Sequence, residues 1–210
     1  MKIKWLGHSS FLFEDSKGRK LLTDPFDETV GYKIFQGDVD VVTISHNHFD
    51  HCYIEKITYK HIANKVGSFN LCDIPILGIP SYHDKVKGAK RGENIIFVIE
   101  MDNYRICHLG DVGYILSPDE IKSLGSIDVL LIPIGGNFTI DGKDAAELAK
   151  SINSHIVIPM HYKTSQLTFE LDGLEKFLRY MKNAERIESN TLILHHKPED
   201  FNLVKILNFK

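Results

Sequence analysis

The chain is 210 residues long, 43% hydrophobic and 25% charged, with a formal net charge of −3 at pH 7. That length is enough for a single domain over residues 1–210 with a substantial core, and the composition is that of a globular protein. The slight acidity argues against a general nucleic-acid-binding surface, and no apolar run reaches the length of a membrane span. The first residues carry no apolar core of the kind a secretory leader needs. Three cysteines (Cys52, Cys72 and Cys107) without paired spacing point to a reducing, cytoplasmic setting.

In chain order, short apolar or alternating runs predict strands over residues 3–6, 10–14 and 20–23, the last two separated by the turn Asp15-Ser16-Lys17-Gly18. A β-branched run predicts a buried strand over 39–44. Weak helical spacing follows over 53–60, then a strand over 76–81. Residues 94–101 and 104–109 read as a hairpin around Asp102-Asn103, a pair suited to a tight turn. The second half changes rhythm. Strands over 128–134 and 155–159 flank a helix over 141–152, whose apolar residues Ala145, Leu148, Ala149 and Ile152 recur at helical spacing. A second amphipathic helix is expected over 171–181 (Leu174, Phe177, Leu178 and Met181 inward), with closing strands over 191–194 and 203–207. Two mixed sheets packed together with helices outside fit this order.

The densest chemistry lies in His46-Asn47-His48-Phe49-Asp50-His51, directly after the 39–44 run. Imidazole nitrogens and a carboxylate oxygen are donors that zinc and its neighbours accept. Neither a regular helix nor a regular strand would converge these four side chains, whereas a loop held by a sheet can. The spacing therefore suggests a two-metal centre. One loop cannot close two sites. Three further candidates stand at strand ends: His83 in Pro80-Ser81-Tyr82-His83-Asp84, Asp111 in His108-Leu109-Gly110-Asp111, and His161 in Ile158-Pro159-Met160-His161-Tyr162. Strands of one sheet that each end in such a residue would gather them at one rim.

His46-Asn47-His48-Phe49-Asp50-His51 matches the HxHxDH signature of the metallo-β-lactamase superfamily, and Asp24, His83, Gly110-Asp111 and His161 follow in the order of its other motifs. Leu6-Gly7-His8-Ser9-Ser10, Pro133-Ile134-Gly135-Gly136-Asn137-Phe138-Thr139 and Ile158-Pro159-Met160-His161-Tyr162 resemble a small bacterial and archaeal group of metal-dependent hydrolases, similar to the ascorbate-6-phosphate lactonases. The resemblance runs from Leu6 to about Thr164. It implies an α/β fold, an αββα four-layer sandwich of two mixed β-sheets flanked by helices, with the metals at one edge. It also implies that His46, His48 and His83 hold one divalent ion, that Asp50, His51 and His161 hold the other, and that Asp111 bridges them. His61, His108 and His8 compete with His83 for its place. The implied cofactors are two divalent ions, zinc first, with manganese, iron or nickel accepting the same donors. The implied reaction is hydrolysis of a small ester, lactone or phosphoester by a hydroxide generated between the ions, with Asp50 as general base or proton shuttle. The diiron oxygen reductases of the superfamily carry a glutamate where His48 stands and need a flavin domain, which disfavours redox chemistry.

Around this set, Asp24 is expected to accept a hydrogen bond from the metal loop and orient a ligand. His8 either faces substrate or caps its own turn. Lys85, Lys87, Lys90 and Arg91 form a basic loop that is either simply solvated or attracts an anionic substrate, and Gly88 and Gly92 suggest a mobile lid. Lys163 is a second candidate anion contact, and Gly135-Gly136-Asn137 a tight turn offering Asn137 as a donor. The expected partner is a small molecule, with neither nucleic acid nor membrane. A nuclease is the first alternative, although no basic arm or aromatic-basic interleaving is present. A non-catalytic metal-binding domain is the second, although a structural zinc site closes with four ligands and seven candidates stand here.

Overall fold

Alternation along the first strands divides their side chains between two environments. Leu21 and Val41 enter the main core, while their neighbours Leu22 and Val42 enter a separate cluster on the opposite face. In the structure, a computed structural model describing residues 1–209, the strands run in chain order β1 (Lys2–Gly7), β2 (Ser10–Glu14), β3 (Lys20–Thr23), β4 (Gly37–Thr43), β5 (Ile57–Ala63), β6 (Gly67–Leu71), β7 (Ile74–Tyr82), β8 (Glu93–Met101) and β9 (Tyr104–His108). The second half adds α1 (Pro118–Leu124), β10 (Val129–Pro133), α2 (Gly142–Ile152), β11 (Ile156–Met160), α3 (Leu174–Leu178), β12 (Ala184–Ile187), β13 (Thr191–Ile193) and β14 (Leu203–Leu207).

These strands form a six-stranded sheet in the order β13-β1-β2-β3-β4-β5 and an eight-stranded sheet in the order β12-β14-β11-β10-β9-β8-β7-β6. Both are mixed. In the first, β3, β4 and β5 are parallel; in the second, β9, β10, β11 and β14 are parallel and β6 to β9 form a meander. Ile3, Trp5, Phe11 and Phe13 of one sheet and Ile76, Ile96, Ile106 and Leu130 of the other share one core. Burying a side chain of this kind stabilises the fold by roughly 1.5–3 kcal/mol. The result is the expected sandwich of two mixed sheets. Among the described residues its α-helices all come from the second half: α2 starts on Asp141, whose carboxylate accepts from the amides of Lys143 and Asp144, and packs on α3 and β10. On the outer face of the first sheet, loop residues Phe35, Cys52 and Ile54 cover Leu22, Val42 and Ile44.

Two local expectations give way. Residues 53–60, with weak helical spacing, form no helix: 53–56 are loop and turn and 57–60 begin β5, because Val41 and Val42 pair in register with His61 and Ile62 and the parallel ladder outweighs local periodicity. The 171–181 helix shrinks to α3, because Leu171 joins Phe26, Val30 and Leu167 in a third cluster and the Asp172 amide is taken by the Gly135 carbonyl. The 94–109 hairpin stands as read, with Asp102 and Asn103 left-handed at φ 48° and 64°. No helix among the described residues is long and apolar enough to cross a membrane.

Candidate metal centre

The carboxyl ends of β3 and β4 in one sheet and of β7, β9 and β11 in the other converge on a common rim. The metal-binding candidates come from both sheets rather than from one, because the two C-terminal edges face each other across the core. Their donor atoms fall into two main groups, each within 4.8 Å mutually, His46, His48 and His83, and His8, Asp50, His51 and His161; a third group, Asp24 with His46 and His51, overlaps both. Asp111 joins them. Its Oδ2 lies 3.2 Å from His83 Nε2, 3.2 Å from His51 Nε2 and 3.0 Å from His161 Nε2. The structure thus brings all seven residues of the expected set together. It places His61 on the exposed side of β5, and His108 in the core with its ring between the Ser9 carbonyl and the Gly110 amide. His8 joins the Asp50 group instead of the His83 group.

The local chain explains how these side chains are held. Asp24 follows β3, and its buried carboxylate accepts from the Ser45 amide (2.8 Å), the Ser45 hydroxyl (2.6 Å) and His51 Nδ1 (2.9 Å). The His51 ring is thereby fixed with Nε2 toward Asp111. Ser45 Oγ also lies 2.9 Å from His46 Nδ1, which leaves His46 Nε2 for the centre. On the other sheet, Asn94 accepts from the Asp111 amide and donates to the Ser81 hydroxyl and the Leu109 carbonyl, tying the ends of β7 and β9 together. Gly110 precedes Asp111 at φ 55°, where a Cβ would stand 2.3 Å from Asn94 Oδ1 and 2.7 Å from Ser45 Cβ. His8, Asp24 and His161 are non-glycine residues with φ of 50°, 39° and 50°. Left-handed backbone at three strand ends around one centre is strain of the kind that concentrates at functional sites.

The electrostatics favour a cation among these groups. Burial, reinforced by His51, pushes the His46 imidazole down to about 3, so its nitrogen is neutral and free to donate a lone pair. Burial and the neighbouring His161 lower His8 to about 4. Burial alone would raise Asp50 and Asp111, yet the surrounding histidines hold both carboxyls well below the usual range. His51 shifts upward despite its burial because Asp111 and Asp50 face it. Nitrogen Nε2 of His46, His51 and His161 and Oδ1 of Asp111 are buried without a hydrogen-bond partner. A buried donor atom left unpaired costs about 1–3 kcal/mol, and a divalent ion would satisfy these. The residues present fit such ions.

The supporting residues divide. His8 Nε2 lies 3.0 Å from Asp50 Oδ2. Lys163 does not face the cluster: its ammonium donates to the Leu167 and Phe169 carbonyls and to Glu170, inside its own loop. Asn137 turns its side-chain amide to the Glu170 carbonyl. The loop expected to be a mobile lid is knotted. The Asp84 carboxylate accepts backbone N–H bonds from Val86, Gly88, Lys90 and Arg91. Beside the cluster lies a cavity of about 490 Å³ lined by Asn47, His48, Phe49, Asp50, His83, Arg91, Asp111, Phe138 and Phe169. Phe169 and the structural roles of Ser45, Asn94 and Asp84 were missed in the sequence. Phe169 and Asn94 lie in unremarkable local patterns, whereas Ser45, next to His46, and Asp84, next to His83, adjoin the metal-binding candidates.

Comparison with known proteins agrees with the geometry. Residues 2–161 match the model of the beta-lactamase superfamily domain. A UPF0173 metal-dependent hydrolase of Pyrococcus abyssi is 32% identical, covering 78% of this chain and 85% of the relative. The crystal structure of a candidate Zn-dependent hydrolase of the metallo-beta-lactamase superfamily from Thermotoga maritima shares 37% identity and a TM-score of 0.82, over 98% of both chains. Human tRNase Z, short form, at 13% identity and a TM-score of 0.57 over 82% of this chain and 97% of its own, shares the fold. Sandwich, strand-end cluster and matched motifs together place this chain in the metallo-β-lactamase superfamily, within its UPF0173 metal-dependent hydrolase family.

Proposed function

We propose that this chain is a hydrolase with a binuclear centre, in which His46, His48 and His83 hold one divalent ion, Asp50, His51 and His161 the other, and Asp111 both, acting on a small ester, lactone or phosphoester. The observation that carries this reading is Asp111, whose single oxygen Oδ2 lies within 3.2 Å of ring nitrogens from both groups. Zinc suits the nitrogen-rich donors best, with manganese, iron or nickel as alternatives. When bound, such ions supply Lewis acidity and a water acidified toward neutrality.

The chain's own groups do the rest. Asp50 lines the cavity, is held in its ionised form by His51 and His8, and has one oxygen engaged by His8 at 3.0 Å. Its carboxylate is positioned to take a proton from the attacking water and pass it toward the leaving group. His8 acts as its positioning residue, and Asp24 does the same for His51. The cavity, about 490 Å³ with Phe49, Phe138 and Phe169 in its walls, is of a size that suits a small molecule. The three unpaired cysteines fit a cytoplasmic setting. The reading is tested by screening the zinc-loaded protein against 4-nitrophenyl esters, lactones and bis(4-nitrophenyl) phosphate. Turnover that falls at least a hundredfold in Asp50→Asn with metal content retained is expected; full turnover in that variant would refute the role of Asp50.

A further inference from the structure

Arg91 has its backbone bolted in place by Asp84, one residue from His83. Its side chain is not committed to an acid. Its contacts are the Asn137 carbonyl, 3.3 Å from Nη2, and the face of Phe138, whose centroid is 4.6 Å from the guanidinium carbon. Among the described residues no carboxylate lies within ion-pair distance of it, whereas Arg19 pairs with Asp15 and Arg105 with Glu100. Arg91 also lines the cavity that opens on His48, Asp50, His83 and Asp111.

The other cations of the neighbourhood do not compete for this place. Lys85 pairs with Asp144, Lys163 is consumed inside its own loop, and neither Lys87 nor Lys90 lines the cavity. Apart from Asn47 and the metal-binding candidates, the rest of the wall is phenyl. Phe49 sits between two metal-binding candidates and is 56% exposed, and Phe169 stands edge-on to His8 at 5.4 Å and to Phe138 at 6.2 Å. A large apolar side chain left open to water at the mouth of a polar centre marks a contact surface. A guanidinium stacked on an aromatic face keeps its donor edge free and planar for two oxygens at once.

We propose that this cavity takes a small molecule that carries an oxyanion, carboxylate or phosphate, on an apolar or aromatic body, with Arg91 gripping the oxyanion and Phe49, Phe138 and Phe169 packing on the body. This names the substrate class for the hydrolase reading above and rests on it only for the chemistry that follows binding. Arg91 is a specificity-determining residue. The Asp84 knot supports it by fixing the backbone before the ligand arrives, so that little ordering entropy is lost on binding.

Calorimetric titration of the metal-loaded protein tests this with four probes: phenylphosphonate, phenylacetate, methylphosphonate and benzyl alcohol. Wild type is compared with Arg91→Ala and Arg91→Lys, so that the affinity the metal ions themselves lend to an anion is common to all three proteins. The expected result is that Arg91→Ala weakens phenylphosphonate or phenylacetate about tenfold or more, the scale of a charge-assisted hydrogen bond. Benzyl alcohol should be left within twofold, and Arg91→Lys should recover only part of the loss. Phenylphosphonate should also bind several-fold more tightly than methylphosphonate. Equal affinity of wild type and Arg91→Ala for both aromatic anions, or of phenyl and methyl phosphonates for wild type, would overturn the proposal. Thermal midpoints of the variants, expected to match wild type, separate lost contacts from lost folding. Absence of any turnover alongside Arg91-dependent binding would refute the hydrolase reading and leave this site standing.

Discussion

Asp24 Oδ2 lies 2.9 Å from Nδ1 of His51, and both side chains are fully buried. The carboxylate that follows β3 thus fixes the ring that the loop after β4 presents, and the Ser45 hydroxyl, bonded to the same carboxylate, extends the hold to His46. Asp24→Asn should leave the fold intact and weaken zinc binding about 10- to 100-fold. Competition with a chromophoric chelator measures this, and an affinity equal to wild type would show that the ring is held by other means.

His8 and Asp50 form the second such pair. His8→Ala removes the partner at Asp50 Oδ2, and the expected signature is a fall in kcat of about tenfold or more with KM little changed, since Asp50 serves the transition state more than substrate binding. His8→Gln, which keeps a donor, should recover part of the loss. A change confined to KM would move His8 into substrate contact.

The sequence carried the metal loop, the strand before it and the hairpin at Asp102-Asn103, because each is a local pattern with one physical reading. His83, Asp111 and His161 were visible as residues at strand ends, and the antiparallel β8 between β7 and β9, with β9, β10 and β11 parallel, shows why they meet. What escaped was set by distant partners. β5 forms because β4 offers it a ladder. β6 and β12 are largely exposed edge strands with little apolar pattern. The helix α1 went unread although Ser117 and Glu120 form a capping box, a signal that was present in the sequence.

Gly110 is a tightly packed backbone position beside the centre. Gly110→Ala forces a Cβ into Asn94 Oδ1 and Ser45 at a left-handed φ of 55°. A loss of about 1–3 kcal/mol in urea unfolding is expected, together with weakened metal binding, because Asn94 also holds the Asp111 amide. Unchanged stability would mean that the two sheets can separate locally at this rim.

Removal of metal should leave the sandwich folded. Its shared core of large apolar side chains lies between the sheets and includes none of the seven residues assigned to the metal ions. After chelation, the far-ultraviolet circular dichroism is expected to persist and unfolding to stay cooperative, with a midpoint lowered by the lost binding energy. Collapse of the fold would favour a structural metal site over a catalytic one.

Metal content per chain, measured by inductively coupled plasma mass spectrometry after zinc loading and desalting, bears most directly on the binuclear centre. Wild type should hold close to two equivalents, His48→Ala and His161→Ala about one each, and Asp111→Ala less than either, since its Oδ2 faces both groups. One equivalent or none in wild type, or a content that none of these substitutions changes, would contradict the assignment.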